Sequence, residues 1–268
     1  MVNPEVIVTT PRRLERILIT NDDGIDAPGL AVLEQVAREL ADEVWVVAPA
    51  LDQSGISHAL SLHHPLRVVR KTERRFSVSG TPADCVAMAL RQLMPSPPDL
   101  LLSGINRGAN LGVETVFSGT VGAAMAGLLM GIPSLALSQA YSRRDAVRWD
   151  TARALAPDVI RQLWAMGWGS NACLNINFPD VAAEVATPMQ ITTQGMGRMS
   201  GLNMSQRTDE REQDYYWLTI DRHSQPDIDG SESAVVWSGG ISVTPLRFER
   251  NEPDTAQRLR EQLTSAKG

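Results

Sequence analysis

Three consecutive apolar residues, Ile17-Leu18-Ile19, run into Thr20-Asn21-Asp22-Asp23-Gly24, and this junction restricts the architecture more than any other stretch of the chain. An unbroken aliphatic run has no wet face, so it predicts a strand buried on both sides, as in parallel sheets covered by helices. Asn21 to Gly24 stops that strand. Beyond Ala27-Pro28-Gly29, residues Leu30, Leu33, Val36, Ala37 and Leu40 recur at helical spacing and give one apolar face. Val44-Trp45-Val46-Val47-Ala48 is a second buried run. The chain therefore opens with a β-α-β unit and a right-handed crossover, the start of a Rossmann-like α/β fold whose mostly parallel sheet is flanked by helices.

The acidic pair Asp22-Asp23 falls in the strand-to-helix turn, where open parallel sheets bind their ligands. Adjacent carboxylates repel one another, and a bound cation offsets that cost. A solvated Asp-Asp-Gly turn with Asp26 as helix cap is the alternative for these residues alone.

The polar loop Pro49 to His58 also leaves the carboxyl end of a parallel strand, so Ser54 is expected beside the acidic pair. Leu66 to Val69 and Arg75 to Val78 pair as short strands. Gly80-Thr81-Pro82-Ala83-Asp84 is a helix start with Thr81 as N-cap, which gives Asp84 a capping role rather than a catalytic one. Asp99 to Leu102 is a further buried strand, and it ends in the loop Ser103 to Gly112, which holds Asn106, Arg107 and Asn110. Ser118-Gly119-Thr120 opens the helix Val121 to Met130, and its free N–H groups form an anion site. No Gly-Lys-Ser/Thr order occurs there, and no G-x-G-x-x-G follows the first strand, so neither a Walker loop nor a dinucleotide fingerprint is present. Strands at Pro133 to Ser138 and Leu174 to Phe178 bracket a helix around Ala152 to Trp164.

From Pro188 the character changes to short strands at Met189 to Thr193, Tyr215 to Ile220 and Ile241 to Thr244. The predicted division is a core over residues 1–187, with 1–13 as a loose leader, and a smaller β-rich extension over 188–268. That extension has an antiparallel appendage and a final helix from Glu252 to Ala266. The polar segment between Gly195 and Asp214 is expected to be a mobile lid or an arm exchanged with another subunit, since it has too few apolar residues to fold alone.

A net charge of −6 and a pI near 5.3 argue against a general binder of nucleic-acid polymers. Cys85 and Cys173 read as buried thiols of a reducing compartment. Residues 1–16 lack the apolar stretch of a signal peptide, and Gly131 to Ser134 splits the most apolar passage below membrane-span length. A cytoplasmic protein with a small-molecule partner and no membrane association is expected.

Three loops at one sheet edge thus offer Asp22, Asp23, Ser54 and Asn106, all hard oxygen donors suited to Mg²⁺, Mn²⁺ or Ca²⁺ rather than to structural zinc. With the anion site at Ser118-Gly119-Thr120, the set suits a phosphoester. A bound cation would polarise a phosphoryl oxygen and acidify a water, while helix N–H groups, Asn110 and Arg107 would stabilise charge on the transferred group. Asp22 or Asp23 would orient that water or accept its proton. His58 is either a proton donor near the site or a plain loop histidine. A nucleotide- or phosphate-binding regulatory module without turnover is the competing reading, and it would lack one of the four cation ligands. A zinc deacetylase would need a histidine in the Asn21 to Gly24 turn, which has none.

T-N-D-D-G-I at Thr20 to Ile25, A-P-x-x-x-x-S at Ala48 to Ser54, G-T-P-A-D-C-V at Gly80 to Val86, S-G-I-N-R-G-x-N-x-G at Ser103 to Gly112 and S-G-T-V at Ser118 to Val121 together resemble the SurE family of stationary-phase survival proteins. Tyr215 to Trp217 and Ile241 to Leu246 resemble its C-terminal part. The resemblance implies a divalent-metal-dependent phosphatase of nucleoside 5′- and often 3′-monophosphates, with short polyphosphate as a further substrate. By motif it assigns Asp22, Asp23, Ser54 and Asn106 to one cation per subunit, and Asn110, Ser118, Gly119 and Thr120 to the phosphate. It also implies a homodimer or homotetramer with exchanged C-terminal segments. The loop before Ser54 departs from the pattern, because Gln53 stands where many relatives carry a basic residue.

Overall fold

The computed structural model describes residues 13–222 and 228–265; apart from Arg13, the expected leader lies outside the described residues. Strand β1 (Leu14–Thr20), helix α1 (Pro28–Leu40) and strand β2 (Ala41–Pro49) form the opening unit, with β1 and β2 parallel. Ile17 and Ile19 enter one apolar cluster with Leu30, Leu33 and Val36 of α1, whereas Leu18 enters another with Val47, Phe76, Cys85 and Leu101. The unbroken run is thus buried on both faces because successive side chains of a strand point to opposite sides.

The remaining strands are β3 (Val68–Thr72), β4 (Arg75–Val78), β5 (Leu100–Arg107), β6 (Ser134–Gln139), β7 (Cys173–Phe178), β8 (Thr187–Ile191), β9 (Met199–Thr208), β10 (Asp214–Arg222) and β11 (Gly240–Leu246). Among the described residues, nine of the eleven strands make one sheet in the order β3-β4-β2-β1-β5-β6-β7-β11-β8. From β1 the chain goes to β2 on one side and later to β5 on the other, so the order reverses between β1 and β5. A crevice therefore opens beyond their carboxyl ends. Helices α1 and α4 (Trp149–Met166) pack together on one face of the sheet, and α2 (Pro82–Met88) and α3 (Gly119–Leu129) pack together on the other.

The C-terminal part forms the expected antiparallel appendage in β9 and β10, and its other two strands join the main sheet. β11 runs antiparallel to β7 and parallel to β8, so both β8 and β11 extend the main sheet at and beyond the expected boundary at residue 187. Only β9 and β10 stand apart, as an antiparallel ribbon that leaves Met204, Tyr216, Trp217 and Leu218 exposed. Most of the segment expected to be a lid or arm is β9, held by pairing with β10 rather than by a core of its own. A short helix, α5 (Glu232–Trp237), precedes β11, and the last helix, α6 (Pro253–Ser265), starts where Glu252 accepts the N–H groups of Asp254 and Thr255. Among the described residues no helix is long and apolar enough to cross a membrane.

Thr81 caps α2 as expected. Its hydroxyl accepts the Asp84 N–H at 3.1 Å, Asp84 Oδ2 accepts the Thr81 N–H at 2.9 Å, and the same hydroxyl donates to Ala59 O at 2.7 Å. Asp84 Oδ1 also accepts the Ser61 N–H, so its carboxylate is occupied by backbone partners. Thr81→Ala removes a cap and strands Ala59 O. We expect it to cost about 1–2 kcal/mol, measured as a lower urea midpoint at constant slope; an unchanged midpoint would count against the cap.

Candidate active site

The turn after β1 is buried. Asn21 is wholly enclosed and Asp22 is 4% exposed, which corrects the alternative of a solvated acidic turn. Asn21 Nδ2 donates to Gly24 O at 2.8 Å, Gly24 adopts φ +102°, and Ile25 N donates to Pro49 O at 2.8 Å. Asp26 does not cap α1. The cap position belongs to Ala27, with no side-chain hydrogen bond, and Pro28 opens the helix.

Asp22 is where the expected loops converge. Its Oδ1 accepts the Thr120 hydroxyl at 2.6 Å, and its backbone oxygen accepts the Gln53 N–H at 2.8 Å. Gly119 lies so close that a Cβ there would come within 2.7 Å of the Asp22 Cβ. The N-terminus of α3 therefore abuts the carboxylate, and only glycine fits at its first position. Ser118 is the N-cap, its hydroxyl accepting the Val121 N–H at 3.1 Å. That hydroxyl is engaged inside the helix start.

Asp23 is half-buried, and its Oδ2 accepts the Arg107 N–H at 3.2 Å, which joins the ends of β1 and β5. The expected loop from Ser103 to Gly112 is in its first half strand: β5 continues through Arg107, with Asn106 opposite Ser138 and Arg107 opposite Gln139 of β6. Gly104 permits this, since a Cβ there would meet Leu137 O at 2.2 Å. Asn106 Nδ2 donates to Gly108 O at 2.8 Å, leaving Oδ1 as the atom it can offer a cation. Ser54 is exposed, and its N–H and hydroxyl both donate to Asp52 Oδ1, at 2.8 and 2.6 Å. Its oxygen keeps its lone pairs.

Burial is the main influence on both carboxylates. It pushes Asp22 up to about 6, against the Thr120 hydrogen bond and with help from the charges of Asp23 and Asp52. Asp23 is raised too, by burial first, while the Arg107 N–H and the Arg107 and Arg144 charges oppose and Asp52 adds to it. The folded chain thus places negative charge where its own groups only partly compensate it. Thr20 Oγ1, Asn21 Oδ1 and Ser103 Oγ, around the same strand ends, are buried with no hydrogen-bond partner among the described residues.

Asn110 is held further along. Its N–H donates to Asn177 Oδ1, its Nδ2 to Ser138 Oγ, and its carbonyl accepts Asn175 Nδ2 and Asn177 Nδ2, at 2.8, 2.9, 2.8 and 3.2 Å. The backbone of Asn110 is thereby fixed against β6 and β7, with no hydrogen bond to either aspartate. His58 lies elsewhere, with Nδ1 3.1 Å from Ser57 Oγ. It lines a small cavity with Arg247 and Arg250 that neither aspartate, Ser54 nor Asn106 borders. Burial, then the Arg250 charge, lowers its pKa.

Three residues were not singled out from the sequence. Asp52 fixes Ser54, and its two-residue spacing before a serine was a readable turn signal. Arg144 acts on Asp23 from the loop before α4, and nothing local marks it. Glu232 is buried and accepts the N–H groups of Gly112 and Gly195 at 2.5 and 2.7 Å, tying the loop after β5 to the approach to β9.

Comparison with known proteins places the chain among relatives of one family. A family described as "Survival protein SurE" matches residues 17–201. A "5'-nucleotidase SurE 1" of Burkholderia lata is 57% identical over 250 residues, covering 93% of this chain and 96% of that protein. A "5'-nucleotidase SurE" of Parvibaculum lavamentivorans is 46% identical over 251 residues, covering 92% and 91%. The crystal structure of the SurE protein from Aquifex aeolicus superposes with a TM-score of 0.79 at 31% identity, covering 92% of this chain and 99% of that one.

Proposed function

The chain belongs to the SurE family, and from that premise we propose that it is a divalent-metal-dependent phosphatase of nucleoside 5′-monophosphates. The observation that carries this reading is the meeting at Asp22 of a buried carboxylate, Thr120 and the N-terminus of α3. Related proteins named as 5'-nucleotidases, at 45–57% identity, support it.

Asp22, Asp23, Ser54 and Asn106 would hold the cation. Among the described residues no group of three His, Cys, Asp or Glu side chains is placed to hold a metal, so the set relies on two carboxylates completed by a hydroxyl and an amide oxygen. Such all-oxygen donors fit Mn²⁺, Mg²⁺ or Ca²⁺, and the uncompensated charge at Asp22 supports the fit. When bound, the cation supplies Lewis-acid polarisation of a phosphoryl oxygen and a water of lowered pKa. One of the two aspartates orients the attacking water or takes its proton. The first N–H groups of α3 and the Arg107 guanidinium stabilise negative charge on the phosphoryl group, and the positive end of the α3 dipole adds to this. Asn110, fixed by its asparagine neighbours, is assigned by the family pattern to the phosphate.

Phosphate release from a panel of 5′- and 3′-monophosphates and tripolyphosphate, before and after chelation and with Mn²⁺ or Mg²⁺ restored, tests this. Activity surviving full chelation would overturn the metal assignment. Asn106→Ala is expected to weaken Mn²⁺ binding by roughly 10–100-fold, read by calorimetry. Unchanged affinity would remove Asn106 from the ligand set.

The family also supports a homodimer or homotetramer with exchanged C-terminal segments. The exposed aromatic residues of the β9–β10 ribbon are consistent with a partner surface, and light scattering reads the mass. Cytoplasmic action is the accompanying proposal, supported by free Cys85 and Cys173, both buried, with burial pushing the Cys173 thiol up to about 12.

A further inference from the structure

Two cavities of about 390 Å³ flank the Arg107-Gly108 turn. One is lined by Leu111, Tyr141, Arg222 and Trp237, and neither aspartate, Ser54 nor Asn106 borders it. The other is lined by Asp23 together with Pro28, Arg107, Arg144, Val147 and Trp149. Of the two, the second therefore opens on the acidic turn, at Asp23.

We propose that this second cavity receives the nucleoside portion of the substrate, with the base lying against Trp149. The inference rests on the reading of the site as a nucleotide phosphatase and adds where the rest of the substrate goes. Its volume is in the range of small-molecule sites and suits a nucleoside. Its chemistry is mixed in the way a base requires. Trp149, Pro28 and Val147 give it an apolar wall, and Trp149 is only half-buried, so part of its indole faces the space. Arg107 and Arg144 bring planar guanidinium groups, which stack on aromatic faces and donate to ring nitrogens and carbonyl oxygens.

An inorganic polyphosphate would gain from the arginines and nothing from the apolar wall. The cavity thus favours a phosphoester carrying a flat aromatic group. The wall is built by the fold. Gly29 sits where a Cβ would come within 3.0 Å of the Trp149 ring, so the first turn of α1 and the start of α4 press together at this point. The loop before α4 then brings Arg144 across from Arg107, and Arg144 already acts on Asp23 through its charge.

The test compares kcat/KM for adenosine 5′-monophosphate with kcat/KM for glycerol phosphate, which lacks a base. Trp149→Ala and Arg144→Ala are each expected to lower that ratio at least tenfold. Trp237→Ala, in the other cavity, should leave the ratio at its starting value. Arg144 is exposed, so its replacement keeps the fold even where Trp149→Ala does not. Calorimetry with adenosine alone gives a second readout, with binding expected in the parent and weakened at least tenfold in Arg144→Ala. A ratio unmoved by both cavity variants, or moved by Trp237→Ala instead, overturns the inference. If no phosphomonoester is hydrolysed, the phosphatase reading fails and the adenosine titration still decides the cavity.

Discussion

Asp22→Asn will lower phosphate release from a nucleoside 5′-monophosphate by at least roughly 10³-fold while leaving the fold intact. The substitution keeps shape and size, and the amide oxygen can still accept the Thr120 hydroxyl that now reaches Asp22 at 2.6 Å. What disappears is one negative charge at a place the proposed cation requires. Without that charge the water loses both its activator and its anchor, and losses of this size are usual when a group acts mainly on the transition state. Because Gly119 packs directly on this side chain, bulkier replacements would displace α3 and confuse the outcome. Activity within tenfold of the parent, at saturating Mn²⁺, would take Asp22 out of the machinery.

The second large effect is on stability and carries the opposite sign. Burial raises Asp22 from its ordinary 3.8 to about 6, so the metal-free folded state holds a proton in a window where the unfolded chain has released it. Stability of the chelated protein therefore falls as pH rises from about 4 to about 6. At about 1.4 kcal/mol per pH unit, the Asp22 contribution to that fall is of order 3 kcal/mol. Asp23, also raised by burial, acts in the same direction. Glu43 opposes it: its hydrogen bond from Arg16 holds the carboxyl below its ordinary 4.5, so its stabilisation is present above that pH and lost on acidification below it. The comparison with Asp22→Asn isolates the site. In chelator at pH 7 the variant should melt roughly 6–10 °C above the parent, and the gap should close towards pH 4. Saturating Mn²⁺ should raise the parent and not the variant. Parallel melting curves for the two proteins across this pH range would show that Asp22 ionises without cost, contrary to its surroundings.

Much of the fold was readable because several local signals agreed. Ile17-Leu18-Ile19 and Val44 to Ala48 are apolar on both faces, which only a covered parallel strand tolerates. Thr81, Pro82 and Asp84 spelled a helix start that the hydrogen bonds reproduce. The site residues were readable as loop positions because strand ends of a parallel sheet share one edge. Where the sequence misled, a long-range contact had decided the outcome. Gly104, Asn106 and Gly108 carry turn chemistry, yet β6 holds the chain as strand through Arg107. Residues Met199–Thr208 are mostly polar and leave both faces largely exposed, so no buried face marked β9, and only its pairing with β10 makes it a strand. β8 and β11 carry the pattern of short strands but not the address. β11 takes its place in the main sheet by pairing with β7, and β8 by pairing with β11, which no periodicity encodes. Arg144 and Glu232 act through space on residues far along the chain.

The contacts at the switch point also set when the centre can come into being. Asp23 meets the N–H of a residue 84 positions later, and Asp22 meets a hydroxyl 98 positions later. Nothing nearer in the chain substitutes for either. During synthesis the two aspartates are made before β5 and α3, and they stay an ordinary acidic segment until β5 docks beside β1 and the start of α3 has emerged. Non-local parallel pairing of this kind is slow to form. A nascent chain shorter than Thr120 therefore carries the acidic pair without the centre, and catalytic competence arrives as a late event of folding.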